Sequence, residues 1–268
     1  MMIRYPNINP IAFRIGPLKV HWYGIMYLIG FASGWGLGRY RASRPGSTWK
    51  PVDVDDVIFF GMLGGLLGGR LGYVLIYGMT FWTRQNPWYP IEVWDGGMSI
   101  HGGFIGGILA LAIFAWRRGR RLADVLDFIS PLIAPGLFFG RMGNFINGEL
   151  WGKPTTLPWG FLYHGVVRQP SQLYEGFLEG IVTFVVVWWF TSRPRSRLAP
   201  TGLFLLLYGT FRFLMEFIRL PDPQLGYLAW GWLTMGQVLS FPMILIGIGL
   251  LVYARKTRLR SGNFAPAQ

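Results

Sequence analysis

Apolar residues gather into seven windows along this chain, at Tyr23 to Gly38, Val57 to Tyr77, Met98 to Trp116, Leu122 to Phe139, Leu173 to Phe190, Gly202 to Ile218 and Leu233 to Tyr253. A helix of about 20 apolar residues spans the hydrocarbon core of a bilayer. The pattern predicts an all-α membrane protein of about seven transmembrane helices, with residues 1–268 forming one polytopic domain. Pro131 and Pro135 fall inside the fourth window, so that helix is expected to kink or break just before Arg141. Alternation over Phe161 to Val167, with His164-Gly165 at its centre, predicts a small hairpin.

Basic residues alternate with the windows. Four lie from Arg39 to Lys50, four from Arg117 to Arg121, three from Arg193 to Arg197 and four from Arg255 to Arg260. The intervening segments hold Arg4, Arg14 and Lys19; Arg84; Arg141, Lys153 and Arg168; and Arg219. The positive-inside rule then places the N-terminus outside and the C-terminus in the cytoplasm, as an odd number of spans requires. Trp82, Trp88, Tyr89, Trp94, Trp151 and Trp159 fall in the outer segments, as interfacial anchors should. A small outer head is expected over about residues 141–170. The N-terminus has no charged start and cleavage site of a removable signal, so the first helix is expected to remain in place. Asp53, Asp55 and Asp56 should cap the second helix.

Composition agrees. With 52% hydrophobic and 14% charged residues, the chain carries more apolar surface than one soluble core can bury. The net charge of +13 sits in short runs between windows, which topology explains and nucleic acid does not. The chain has no Cys, which excludes disulfides, thiolate metal sites and a Cys nucleophile of its own. His21, His101 and His164 form no i, i+4 pair, so neither a metal nor a cofactor is expected.

Glycines recur at helical spacing: Gly30, Gly34 and Gly38; Gly61, Gly65 and Gly69 beside Gly64, Gly68 and Gly72; and Gly102, Gly103, Gly106 and Gly107. Such faces let backbones approach closely in lipid. Arg70, within the densest face, reads either as an inward ion pair or snorkelling side chain, or as a contact to lipid phosphate. His101 reads as a structural residue, or as a base for removing a substrate proton beside the slim Gly102-Gly103 pair. Gly97-x-Ser99-x-His101 lacks the last glycine of a nucleophile elbow, so Ser99 is not a nucleophile. Tyr208, Arg212, Glu216 and Arg219 share one helical face. Ion pairing with Glu216 explains part of it, and the surplus positive charge would suit an anion.

The most informative stretch is Gly140-Arg-Met-Gly-Asn-Phe-Ile-Asn-Gly-Glu-Leu-Trp-Gly152. A charge at membrane depth costs about 2.5–3.5 kcal/mol on insertion scales and is a functional candidate by default. This run resembles the pattern Gly-Arg-x-Gly-Asn-Phe-x-Asn-x-Glu-x-x-Gly of prolipoprotein diacylglyceryl transferases of bacterial inner membranes. The resemblance extends to His21-Trp-Tyr-Gly24, Gly69-Arg-Leu-Gly-Tyr73, Ser99-Ile-His-Gly-Gly103, Pro170-Ser-Gln-Leu-Tyr-Glu175 and the Tyr208 to Arg219 face.

It implies seven helices around a lipid site, with the N-terminus periplasmic. The implied activity moves diacylglyceryl from phosphatidylglycerol to the lipobox Cys of a preprolipoprotein signal peptide, giving a thioether and glycerol phosphate. It further implies that Arg141 and Arg212 are essential basic residues, that His101 is a candidate base, and that Tyr23, Asn144, Asn147, Glu149, Gly152, Tyr208, Glu216 and Arg219 support the site. Gln169 departs from the pattern, since many members carry His there. A transporter passing a lipid headgroup is the alternative class; it would need alternating access but neither His101 nor a thiol.

Overall fold

The computed structural model describes residues 3–16, 18–79, 82, 86–92, 97–221 and 226–263. The charge of Arg84 and the anchor Trp94 fall outside them. Short strands β1 (Ile3–Arg4), β2 (Ile11–Ile15) and β3 (Leu18–His21) lead into α1 (Trp22–Ala42). Then follow α2 (Pro51–Tyr73), extended by a π-helical turn over Val74–Gly78, α3 (Ile100–Arg117) and α4 (Leu122–Asn147). After the hairpin of β4 (Phe161–Tyr163) and β5 (Val166–Arg168), α5 (Ser171–Glu175), a π-helical segment (Gly176–Val182) and α6 (Thr183–Phe190) run on without a break. The chain continues as α7 (Ala199–Met215) and α8 (Met235–Thr257).

Every apolar window overlaps a helix. By length and composition, four helical stretches among the described residues are sufficient to cross a membrane: Pro51–Ile76, Leu122–Asn147, Ser171–Phe190 and Met235–Thr257. His101–Arg117 and Ala199–Met215 are shorter apolar helices. Phe104, Ile105, Ile108 and Leu109 on α3, and Leu245, Ile246 and Val252 on α8, stand exposed. Such continuous apolar faces suit lipid, not water.

The expected break in the fourth helix does not occur. Pro131 cannot donate to the carbonyl of Asp127, and Ser130 Oγ donates to that carbonyl instead, at 3.1 Å. The helix therefore runs on through Arg141 to Asn147, and the irregular segment begins only at Gly148.

Contacts divide the chain into two compact units. The unit of Gly38–Leu126 and Gly262–Gln268 is built on α2 against α3. A Cβ at Gly64 would meet the Gly106 carbonyl oxygen at 2.6 Å, and Gly68 and Gly102 each abut the other's backbone oxygen. Packing is thus the role of these glycines. The aspartates are structural: Asp53 accepts from the Lys50 N–H at 3.1 Å at the start of α2, Arg120 pairs with Asp53 at 3.1 Å, Arg118 pairs with Asp56, and Arg39 pairs with Asp55 at 2.7 Å. Arg70 is 2% exposed and donates to the carbonyls of Tyr89 at 2.6 Å, Pro90 at 3.2 Å and Gly97 at 3.3 Å. These bonds fasten Tyr89, Pro90 and Gly97 to α2, an inward structural contact for Arg70.

The unit of Met1–Leu37 and Asp127–Ser261 holds the remaining elements. Ala134, Val187 and Phe204 centre its core, with Leu137, Phe184, Leu203 and Leu207 around them. Gly30 and Gly34 let α1 meet α4, since a Cβ at either would lie 3.0 Å from Gly136 Cα or the Leu132 carbonyl oxygen. Asp127, 0% exposed, accepts from the N–H of Leu198 at 2.7 Å and from the N–H and hydroxyl of Thr201 at 3.1 and 2.7 Å. That carboxylate satisfies the free donors at the start of α7. β4 pairs with β5 in the expected hairpin, and β1 pairs with β4 in parallel. His164 and Gly165 take φ of 48° and 78°, as a two-residue hairpin turn demands.

Candidate functional site

Arg141 lies in the penultimate turn of α4, where the neighbouring helix carries Gly176 and Gly180 toward it. A Cβ at Gly180 would sit 2.6 Å from Phe138 Cβ, and one at Gly176 would sit 3.3 Å from Arg141 Cβ. This close approach brings the Arg141 guanidinium between two carboxylates, Nη1 to Glu175 Oε2 at 2.9 Å and Nη2 to Glu179 Oε2 at 3.0 Å. Both glutamates are 0% exposed. Glu179 stands in the π-helical segment, where Thr183 Oγ1 donates to the Leu178 carbonyl at 2.9 Å. Such irregular turns mark functional sites in many helices.

Arg212, near the end of α7, pairs through Nη2 with Glu216 Oε1 at 2.5 Å. Its Nη1 lies 3.9 Å from Glu175 Oε1 and is a buried donor without a hydrogen-bond acceptor among the described residues. Arg219 Nη1 approaches Glu216 Oε1 at 3.8 Å. Arg141, Arg212 and Arg219 thus meet Glu175, Glu179 and Glu216, three basic side chains beside three acidic ones. Two of the carboxyl groups come from a different helix, which spacing along α7 could not reveal. Tyr208 stacks on Phe204 at 6.0 Å and lies within electrostatic reach of Arg141 and Glu179.

A second cluster forms where α4 ends. Asn144 Nδ2 and Asn147 Nδ2 donate to Glu149 Oε2 and Oε1 at 3.3 and 3.1 Å, so one turn of helix aims two amides at one carboxylate. Gln172 Nε2 donates to the Glu149 carbonyl, and Ser171 Oγ donates to the Leu150 carbonyl at 2.6 Å. The ring of Tyr23 packs on Gly143, where a Cβ would lie 2.6 Å from Tyr23 Cδ2. Gly152 bridges to Arg219, and its N–H donates to the Gln169 carbonyl at 2.9 Å. A Cβ there would come within 2.8 Å of the Gln169 carbonyl oxygen and 3.1 Å of that of Ile218. Position 169 thus contributes through its backbone.

The Tyr5 hydroxyl faces the Phe145 and Ile146 carbonyls at 2.7 and 2.8 Å, closing the free end of α4. Burial, and then Tyr163, push that hydroxyl above the usual tyrosine range, so it remains a donor. Phe145, Trp151 and Tyr163 all pack edge-on against Tyr5.

His101 lies in the other unit. It is exposed in the first turn of α3, whose N-cap Ser99 accepts from the Gly102 N–H at 3.2 Å. Ser99 is thus the cap of this helix. Glu175 and Glu179 are not among the site residues expected above; a pair of glutamates four apart inside an apolar window is the signal that marks them.

The family model for prolipoprotein diacylglyceryl transferase matches residues 10–253. The chain belongs to the prolipoprotein diacylglyceryl transferase family. It is 55% identical to the phosphatidylglycerol--prolipoprotein diacylglyceryl transferase of Nitratidesulfovibrio vulgaris (strain Miyazaki F), covering 95% of this chain and 97% of that relative. It is 54% identical to the enzyme of the same name from Coxiella burnetii (strain RSA 331), covering 97% of this chain and 100% of the relative. The matched span of this prolipoprotein diacylglyceryl transferase family member contains Tyr23, His101, Arg141, Arg212 and every other residue of the two clusters.

Proposed function

We propose that this chain transfers the diacylglyceryl group of phosphatidylglycerol to the lipobox cysteine of a preprolipoprotein. The observation that carries the reading is 54–55% identity, over 95–97% of the chain, to transferases of that name, with the Arg141 cluster inside the match. The lipobox thiol attacks the glycerol carbon bearing the phosphate ester; the C–O bond breaks as the C–S bond forms, and glycerol phosphate leaves. The thiol proton passes to a base, and His101 is the residue proposed for that step.

Negative charge grows on the leaving phosphate oxygens, and guanidinium forks match it. Arg212 Nη1 is the free donor suited to this task, while Glu175, Glu179 and Glu216 hold the Arg141 and Arg212 planes in fixed orientations. Glu149 is fastened by two asparagine amides, and its oxygens accept rather than donate. It suits a hydroxyl or peptide N–H donor of a substrate, with Tyr23, Gly152, Tyr208 and Arg219 shaping the surroundings.

The proposed setting is a bacterial inner membrane with seven spans, the N-terminus periplasmic and the C-terminus cytoplasmic. The segment after α4, up to Pro170, is the proposed periplasmic head. Incubating purified protein with phosphatidylglycerol and a lipobox peptide tests the activity: mass spectrometry should find the peptide heavier by one diacylglyceryl group on its cysteine. An unmodified peptide in the presence of folded protein would refute the reading.

A further inference from the structure

Glu216 stands behind Arg212, and the first turn of α8 is built around it. Thr234, the N-cap of α8, donates from its hydroxyl to Glu216 Oε2 at 2.5 Å. The same hydroxyl oxygen accepts from the Gln237 N–H at 3.3 Å, while Gln237 Oε1 accepts from the Thr234 N–H at 2.9 Å. The reciprocal capping box fixes the Thr234 backbone and engages a hydroxyl lone pair, so the single hydroxyl proton is directed at Glu216. Thr234 is 3% exposed and Gln237 0% exposed, leaving water little chance to substitute. Gly236 completes the cradle: a Cβ there would lie 2.5 Å from Glu216 Cδ and 2.6 Å from Oε1. Oε1 is the atom that pairs with Arg212 Nη2 at 2.5 Å.

We infer that Thr234 and Gly236 are positioning residues for the transfer step, seating the Glu216 carboxylate so that it holds the Arg212 guanidinium toward the substrate phosphate. This rests on the proposed role of Arg212. Neither residue needs to touch substrate. A side chain at 236 must push the carboxylate aside, and a displacement of about 1 Å in a catalytic constellation can cost on the order of a hundredfold in rate.

The test compares Gly236→Ala with Gly249→Ala, the same substitution in the same helix, where a Cβ meets nothing within 4 Å. Both variants and wild type are assayed for thioether formation on a lipobox peptide across a range of phosphatidylglycerol concentrations, with a thermal melt of each in detergent. Gly236→Ala should lower kcat by tenfold or more at saturating lipid while melting close to wild type, and Gly249→Ala should match wild-type kcat.

Thr234→Ser, which keeps the hydroxyl, should restore most of the turnover that Thr234→Val loses, and this pair decides the matter if Gly236→Ala does not fold. A folded Gly236→Ala protein with wild-type kcat would overturn the inference. So would Thr234→Ser and Thr234→Val proteins of equal turnover. Wild type that forms no thioether would instead refute the transferase reading itself.

Discussion

Arg141 is enclosed by carboxylates on two sides, and that arrangement separates its charge from its geometry. Lysine at 141 keeps one positive charge but cannot present two nitrogens to Glu175 and Glu179 together. Arg141→Lys should therefore lose nearly as much turnover as Arg141→Gln, read as thioether formed at saturating phosphatidylglycerol. Arg141→Gln should also melt earlier, because removing one partner of a buried pair costs about 3–5 kcal/mol. Adding Glu179→Gln should recover much of that stability and none of the turnover; a double variant with restored turnover would show that Arg141 only neutralises its neighbours. His101 makes a different prediction. If its imidazole takes the thiol proton, His101→Gln should lower the rate by about 100- to 10,000-fold at neutral pH. Part of the rate should return as the pH rises toward the thiol's own value of about 8.5. A loss that is the same at every pH would assign His101 to positioning instead.

At the scale of elements, glycine spacing is a statement about how near two helices can come. Gly102→Ala places a methyl group against the backbone of Gly68 and Gly72, with no flexible side chain to give way. That substitution should destabilise the protein by about 1–3 kcal/mol, measured by thermal or denaturant unfolding in detergent. Gly36→Ala in α1, where a Cβ meets open space, should be neutral or mildly stabilising because alanine loses less backbone entropy in a helix. These packing faces were legible in the sequence because their period is that of the helix. So were the hairpin at His164-Gly165 and the apolar windows themselves. The end of α4 was not legible: Gly140, Gly143, Asn144 and Gly148 read locally as a loop, whereas in the structure Tyr23 packs on Gly143 and the Tyr5 hydroxyl meets the Phe145 and Ile146 carbonyls of a continuous helix. Glu179 escaped for a related reason, since what gives it meaning is an arginine on a helix 38 residues away.

The proposed orientation of the whole molecule rests on its basic residues, and it can be checked directly because the chain has no cysteine of its own. A cysteine introduced at Asn86 should react with an impermeant thiol reagent in intact spheroplasts, whereas one at Ser196 should not. Reaction at Ser196 with silence at Asn86 would invert the topology. The parallel pairing of β1 with β4 also dictates an order of events during synthesis. Tyr5 meets Phe145 across 140 residues of chain, and Ile3 pairs with Phe161. At ribosomal rates of about 5–20 residues per second, Tyr5 leaves the ribosome roughly 7–30 seconds before its partners exist. Through that interval β1 is a bare strand edge and Tyr5 has no carbonyls to cap. The cap on the last turn of α4 can form only when the earliest part of the nascent chain returns to it, so premature capture of the N-terminus by another sheet edge would leave the helices inserted and that helix end open.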